Sequence, residues 1–219
     1  MYTLCWSPKG GSGTTVVAST LAVIAARRGP TVAIDLGGDV VAALGADAAE
    51  SAGAGDWLCT SGAPAARLWQ LAQPCAVDDD LDLRVVRAGA MPAGERLVEL
   101  ASERLAAAAA SHDAHVVIDA GHVIPDGPLL QCAARALMII RPCYLAMRRA
   151  CAVGTGGSDV VLITEPGRAL GRKDVERGLG GPVVAELPWD PAVARAVDAG
   201  LLRCRVPTGA ARALGGLVP

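Results

Sequence analysis

Short apolar runs recur along the chain, separated by segments with the hydrophobic spacing of helices. The runs are solidly apolar instead of alternating with polar residues, which is typical of strands buried on both faces of a parallel sheet. Strands are predicted at 2–6, 31–35, 83–87, 115–119, 137–141, 159–164 and 182–187. Helices are predicted at 15–28, 64–72, 93–110, 128–136, 144–152, 172–179 and 191–199. This alternation predicts an α/β fold with right-handed crossovers and helices on both sides of the sheet.

The composition excludes a disordered chain and agrees with a single folded domain. The chain has 219 residues, of which 52% are hydrophobic and 19% are charged, and this length fits about one full domain. Apolar runs are interrupted well before the roughly 18 residues that a membrane span needs, so we expect no transmembrane segment. The first residues do not have the pattern of a secretory signal.

The cysteine and charge content narrows the class of protein further. Seven cysteines are scattered without a CxxC pair, and there are only three histidines, so no zinc site is indicated. Cysteines dispersed in apolar runs are typical of reduced thiols in a cytosolic protein. The net charge of −2 excludes a polycation and gives nucleic-acid binding no support by itself.

A glycine-rich loop, Ser7–Thr15 (SPKGGSGTT), lies directly between the first predicted strand and the first predicted helix. In that position backbone N–H groups converge, and the helix N-terminus adds about half a positive charge, which suits a phosphate. Lys9 is one of 2 lysines against 18 arginines, and a compact ammonium suits a phosphate well. The hydroxyl of Thr15 is placed to bind Mg²⁺. The alternative is a tight turn in which glycine serves only the geometry.

Two aspartates end predicted strands. Asp35 closes the second strand (TVAID) and Asp119 closes the fourth (HVVID). Carboxylates at the carboxyl ends of parallel strands face the ligand crevice, where Asp119 can hold Mg²⁺ through water. For Asp35 the alternative is a structural role, capping the turn that follows. His115 and His122 are interpreted as strand-start and loop residues and not as catalytic groups.

The loop resembles the signature of the MinD/ParA family of P-loop ATPases, a deviant Walker A motif of the form KGGxGK[ST]. Lys9 matches the lysine that in this family reaches across a dimer to the partner's nucleotide. The loop residues that match the motif besides Lys9 are Gly10, Gly11, Gly13 and Thr15. The resemblance implies a three-layer P-loop NTPase fold with a mostly parallel sheet of about seven strands.

The resemblance also implies the cofactors and the site residues. ATP or ADP would be bound by Lys9, Gly10, Gly11, Ser12, Gly13, Thr14 and Thr15. Mg²⁺ would be held by Thr15 and Asp119, and Lys9 and Asp35 would act in catalysis.

Several positions depart from the family pattern. Pro8 replaces the first glycine of the ordinary Walker motif, and Thr14 stands where the phosphate-binding lysine belongs. The loss of that lysine removes a charge-assisted contact worth about 1.5–3 kcal/mol. Gly37 stands where the family has the second aspartate of a D-x-D pair, and Thr164 where relatives carry an adenine-reading asparagine. We therefore expect weak or absent ATP hydrolysis.

The variant form KGGxGT[TS] is similar to the CpaE/TadZ branch, which is associated with Flp/Tad pilus assembly, and to a related septum-site group. Segments 136–150 and 188–202 also resemble this branch. The resemblance covers 1–205, which we interpret as one P-loop domain, and residues 206–219 are predicted to be a loosely packed tail. That tail lacks the basic, bulky-apolar pattern of membrane-surface helices.

The resemblance implies a localisation or assembly factor that forms a nucleotide-dependent homodimer. Its partner would belong to a pilus, secretion or division machinery. The protein would be cytoplasmic, with recruitment to a pole or membrane by that partner. Two alternatives are an active ParA-like ATPase for DNA or cargo partition and a pseudo-ATPase scaffold without nucleotide. Non-specific DNA binding by arginines between 141 and 205 is disfavoured, because acidic residues are interspersed among them.

Overall fold

The computed structural model describes residues 1–46, 51–75, 81–90, 96–125 and 127–218. The strands are β1 (Tyr2–Trp6), β2 (Thr31–Asp35), β3 (Gln73–Pro74), β4 (Leu83–Val86), β5 (His115–Asp119), β6 (Arg135–Ile140), β7 (Asp159–Thr164) and β8 (Val183–Pro188). The helices are α1 (Thr14–Ala26), α2 (Val40–Leu44), α3 (Ala54–Cys59), α4 (Ala65–Gln70), α5 (Arg96–Ala110), α6 (Gly127–Gln131), α7 (Tyr144–Val153), α8 (Arg172–Leu179), α9 (Pro191–Asp198) and α10 (Thr208–Leu214).

The strands form one sheet in the order β3-β4-β2-β5-β1-β6-β7-β8. Every neighbouring pair is parallel except β3 with β4. The predicted mostly parallel α/β sheet is confirmed, and all seven predicted strands are present. The eighth strand, β3, is a two-residue antiparallel edge strand, too short to leave a pattern in the sequence.

The segment after α6 differs from the prediction of a helix over 128–136. The helix ends at Gln131, and the backbone N–H of Ala134 already donates to the carbonyl of Tyr2 at 2.9 Å. Strand β6 then begins at Arg135 and pairs with β1. Hydrogen bonding to β1 therefore outweighs the helix propensity of Ala133, Ala134 and Ala136. The helix predicted from residue 93 is described from Arg96 onwards, and its predicted start lies outside the described residues.

Two apolar layers cover the two faces of the sheet. On β1, Tyr2, Leu4 and Trp6 lie in one core cluster, whereas Cys5 between them belongs to the other. Trp6 is 1% exposed, and its indole N–H donates to the Ser158 hydroxyl at 2.9 Å. Burial on both faces explains why the strands read as solidly apolar runs.

The end of the chain corrects the prediction of a loosely packed tail at 206–219. Helix α10 packs against α1 and β8, and Leu214 is completely buried. Arg28 donates to the carbonyls of Val218 at 3.0 Å and Gly215 at 2.9 Å. The prolines and glycines there bend the chain around a packed helix, and the apolar residues between them join the core.

No helix in the described part of the chain has both the length and the apolar character needed to cross a membrane.

Candidate functional site

The glycine-rich loop connects the end of β1 to the start of α1. Gly11 and Gly13 have φ angles of 75° and 90°, a region that favours glycine. The Ser12 hydroxyl donates to the Lys9 carbonyl at 2.7 Å, and the backbone N–H of Lys9 donates to the Ser7 hydroxyl at 3.2 Å. The glycines and these side-chain bonds set the curvature of the loop, so the sequence encodes a shaped loop.

The loop leaves a run of backbone N–H groups without partners. The N–H groups from Gly10 to Val16 donate to no other group in the described residues, and the first helical bond runs from Val17 to Gly13 at 3.0 Å. Unpaired amides followed by a helix N-terminus form a site for an anion, because the N–H donors and the positive end of the helix dipole both attract negative charge. This arrangement of N–H donors fits a phosphate group. A compact turn in which glycine serves only the geometry does not require such a run of free donors.

Lys9, the lysine of the loop, and Thr14, which stands where the motif has its phosphate-binding lysine, have different surroundings. The Lys9 ammonium group donates to the Gly10 carbonyl at 2.9 Å on the outside of the loop. Thr14 is only 6% exposed at the first position of α1. Thr14 carries no charge, so the loop has no cation at this position. The Lys9 ammonium group faces away from the core.

Thr15 and Asp119, the predicted Mg²⁺ ligands, are brought together. Asp119 is 1% exposed, and its Oδ1 accepts from the N–H of Gly121 at 2.9 Å. Its Oδ2 is buried and has no hydrogen-bond partner among the residues that the structure describes. Burial raises the pKa of Asp119 to about 6, while the Thr15 hydroxyl and the Gly121 N–H lower it. A buried carboxylate oxygen without a partner beside a hydroxyl fits a hard divalent cation such as Mg²⁺.

Asp35 has the capping arrangement that the sequence left as an alternative. Its Oδ1 accepts from the N–H of Gly38 at 2.6 Å, and its Oδ2 accepts from the N–H of Val40 at 3.0 Å. Burial raises the pKa of Asp35, and these backbone bonds lower it. Both oxygens are engaged at the start of α2, so a catalytic role for Asp35 remains only a prediction.

Gly37 lies against the candidate metal ligand. A Cβ added at this position would be 3.3 Å from Asp119 Oδ2 and 3.4 Å from the Gly121 Cα. An aspartate here would need its neighbours to move and would add a second carboxylate beside Asp119. The family's second aspartate is therefore missing, and the space for it is restricted.

A cavity of about 260 Å³ adjoins the second half of the loop. Apolar residues from β7, β8 and α9 form most of its wall, together with Gly11, Ser12 and Gly13. The lining residues that sequence reasoning did not assign include Arg141, Ile163, Leu187, Val193 and the acid Asp198. Only the loop after the last strand, with Trp189 and Asp190, carried a signal in the sequence, because the approach of the others to the glycine-rich loop depends on the strand order.

Comparison with known proteins identifies the fold. No family model and no curated protein matches the sequence. The structure is similar to a ParA family ATPase from Chlorobium tepidum TLS, with a TM-score of 0.73, 18% identity, and coverage of 97% of this chain and 95% of that one. It is similar to the MinC:MinD cell division protein complex of Aquifex aeolicus, with a TM-score of 0.73, 18% identity, and coverage of 98% and 95%.

A third similar structure is the septum site-determining protein MinD from Pyrococcus horikoshii OT3, complexed with Mg-ADP. Its TM-score is 0.67 at 18% identity, with coverage of 97% of this chain and 91% of that one. At such identities the likeness establishes the fold, and function needs its own argument. Together with the loop at residues 9–15, these matches show that the chain has the fold of the MinD and ParA ATPases.

Proposed function

We propose that this protein is a degenerate MinD/ParA-like nucleotide-binding protein that acts as a localisation or assembly factor, with weak or absent ATP hydrolysis. The observation that carries the proposal is the run of backbone N–H groups from Gly10 to Val16, which have no hydrogen-bond partner in the described part of the chain. These donors lie beside the pair Thr15 and Asp119 and next to a cavity of about 260 Å³. Together they offer places for a phosphate chain, a cation and a nucleoside.

The proposed ligand is ATP or ADP with Mg²⁺. The loop amides from Gly10 to Val16 would hold phosphate oxygens, and Thr15 and Asp119 would hold the cation. Mg²⁺ would neutralise phosphate charge in a loop that lacks a lysine at Thr14. The mainly apolar wall formed by β7, β8 and α9 would receive the base, with the rings of Trp189 at its rim.

Three features of the same site support slow or absent hydrolysis. Thr14 replaces the lysine, Gly37 replaces the second aspartate, and both oxygens of Asp35 cap α2. The first two are replacements that remove groups which stabilise or position charge during phosphoryl transfer, and in the third the backbone bonds occupy the oxygens of a carboxylate that is present. Binding by backbone amides does not depend on these side chains, so nucleotide binding without efficient turnover is the expected outcome.

The cellular role that we propose follows the branch that the sequence resembles, Flp/Tad pilus assembly or septum-site determination. Nucleotide binding would order the segment after Asp119 and favour a homodimer with Lys9 acting across it. The loop and this segment are already connected, because the N–H of Ser7 donates to the Gly121 carbonyl at 3.0 Å. A nucleotide can shift the assembly equilibrium only by its differential affinity for the two states.

A DNA-partition role has less support from the surface. Several of the arginines considered for a basic face are paired with acids, including Arg168 with Glu165 at 2.7 Å and Arg172 with Glu186 at 3.0 Å. Paired arginines offer less net charge to a phosphate backbone. We therefore propose a cytoplasmic assembly factor that a protein partner recruits to a pole or membrane, in preference to a DNA-partition protein.

Calorimetric titration of the full chain with ATP and ADP, each with Mg²⁺, tests the proposal. We expect binding of both nucleotides and turnover close to background. The matched variants are Thr14→Lys, which restores the missing cation, and Asp119→Asn, which removes the metal ligand. The lysine variant should bind ATP more tightly, and the asparagine variant should lose the dependence of affinity on Mg²⁺. Absence of binding at millimolar nucleotide would refute the proposal, and rapid turnover would favour the active ATPase.

A further inference from the structure

One cationic residue, which follows a different strand, lines the cavity beside the loop. Arg141 follows β6, which pairs with β1 in parallel register, so the residue comes to the same edge of the sheet as the loop. Among the described residues that line the cavity it is the cationic one, and it shares the cavity with Gly11, Ser12 and Gly13. Arg141 and the second half of the glycine-rich loop thus line one cavity.

Neighbouring charges fix the position of Arg141. Its Nε and Nη2 donate to Glu165 Oε2 at 3.1 and 2.7 Å. Arg168 donates to the same oxygen, with Nε at 2.8 Å and a second nitrogen at 2.7 Å. Two arginines share one carboxylate, so these three side chains together carry a net positive charge, and the acids that line the same cavity are Asp190 and Asp198. The remaining nitrogen, Nη1 of Arg141, donates to no group within the described residues.

We propose that Arg141 is a phosphate-binding residue that supplies the positive charge missing at Thr14. The ligand class is a nucleoside di- or triphosphate, whose phosphoryl oxygens would lie between the guanidinium and the loop amides. This assignment rests on the proposed function and adds to it. A planar guanidinium can donate to two phosphate oxygens, which makes arginine from β6 a suitable substitute for a lysine within the loop.

Removal of the charge tests the assignment. Arg141→Gln is compared with the wild-type chain for binding of ATP, ADP and adenosine, with Arg148→Gln as the matched control on the exposed side of α7. Loss of one charge-assisted contact lowers ATP and ADP affinity about 10- to 100-fold. Adenosine affinity should stay unchanged, and Arg148→Gln should bind all three ligands like the wild type.

A gain in affinity provides a second test, which a folding defect cannot imitate. Glu165→Gln keeps an acceptor for Arg141 and Arg168 but removes the negative charge beside the site. ATP affinity should then rise roughly threefold, the effect of one charge several ångströms away in a solvated setting. The gain should shrink as salt is raised, because screening weakens the repulsion that the substitution removes.

The outcomes separate this inference from the proposed function. If the wild-type chain binds no nucleotide, the proposed function and the assignment of Arg141 are both refuted. If it binds ATP while Arg141→Gln binds it equally well, the inference alone is refuted. An equal loss of adenosine binding by a folded Arg141→Gln assigns the residue to the nucleoside and overturns a phosphate role. Unchanged or weaker ATP binding by Glu165→Gln also counts against it.

Discussion

Asp119→Asn should stabilise the ligand-free protein at neutral pH. Burial raises the pKa of Asp119 from 3.8 to about 6, because its charge has little access to water. A tenfold change in proton affinity is worth about 1.4 kcal/mol, so the charged form costs about 3 kcal/mol in the folded state. Asparagine keeps an acceptor for the Gly121 N–H and carries no charge. The free energy of unfolding should therefore rise by up to about 3 kcal/mol at pH 7.

The pH dependence identifies the cause of that gain. The folded protein binds this proton more tightly than the unfolded chain does, so the stability contributed by protonated Asp119 is complete below about pH 4. It is lost as the pH rises through about 6. The difference between the wild type and Asp119→Asn should thus be small near pH 4, grow up to about pH 6, and remain constant above it.

Urea unfolding in a metal chelator, without nucleotide, measures this difference between pH 4 and 8. Asp113→Asn, the same chemical change at an exposed site, is the control and should show no such trend. A difference that does not vary with pH would refute the reasoning, as would an Asp119→Asn variant that is less stable than the wild type at pH 7. Added Mg²⁺ should stabilise the wild type and not the variant, because binding to the folded state alone raises its stability.

Three further substitutions test the packing around the site. Trp6→Phe removes the buried donor to Ser158 and should lower the free energy of unfolding by about 1–3 kcal/mol in urea. Gly13→Ala places a side chain at a φ of 90°, so it should cost about 1–3 kcal/mol and weaken ATP binding in calorimetry. Leu214→Ala creates a cavity at a fully buried position and should cost about 2–5 kcal/mol, and a loss below about 0.5 kcal/mol would contradict the packed end of the chain.

The sheet and the loop could be predicted from sequence because their signals are local. Apolar runs bounded by turns specify the strands, and the glycines before α1 specify a loop with a helix N-terminus behind it. The pairing of Thr15 with Asp119 followed from a rule about parallel strands, since carboxyl ends meet at one edge. These features depend on neighbours in the sequence or on general topology, and both are readable from one chain.

Arg141 and the end of the chain could not be predicted, because both depend on strand order. The sequence pattern does not predict that β6 lies beside β1, so the position of Arg141 next to the loop could not be predicted. Likewise α10 is short and flanked by glycine and proline, and its burial follows from the surface that α1 and β8 present to it. The role of Asp35 was open for a related reason, since one strand-end carboxylate serves capping or chemistry equally well.

Binding and hydrolysis make different demands on this edge of the sheet. The amides from Gly10 to Val16 need only the shape of the backbone, which the glycines and Ser12 maintain without a lysine. Hydrolysis needs charge at position 14 and a carboxylate at position 37, where this chain has threonine and glycine. Thr14→Lys alone leaves the water-positioning carboxylate absent. Space for that carboxylate at position 37 is restricted, because Gly37 packs against Asp119. We therefore expect occupancy by nucleotide, and not its turnover, to be the property that a partner protein detects.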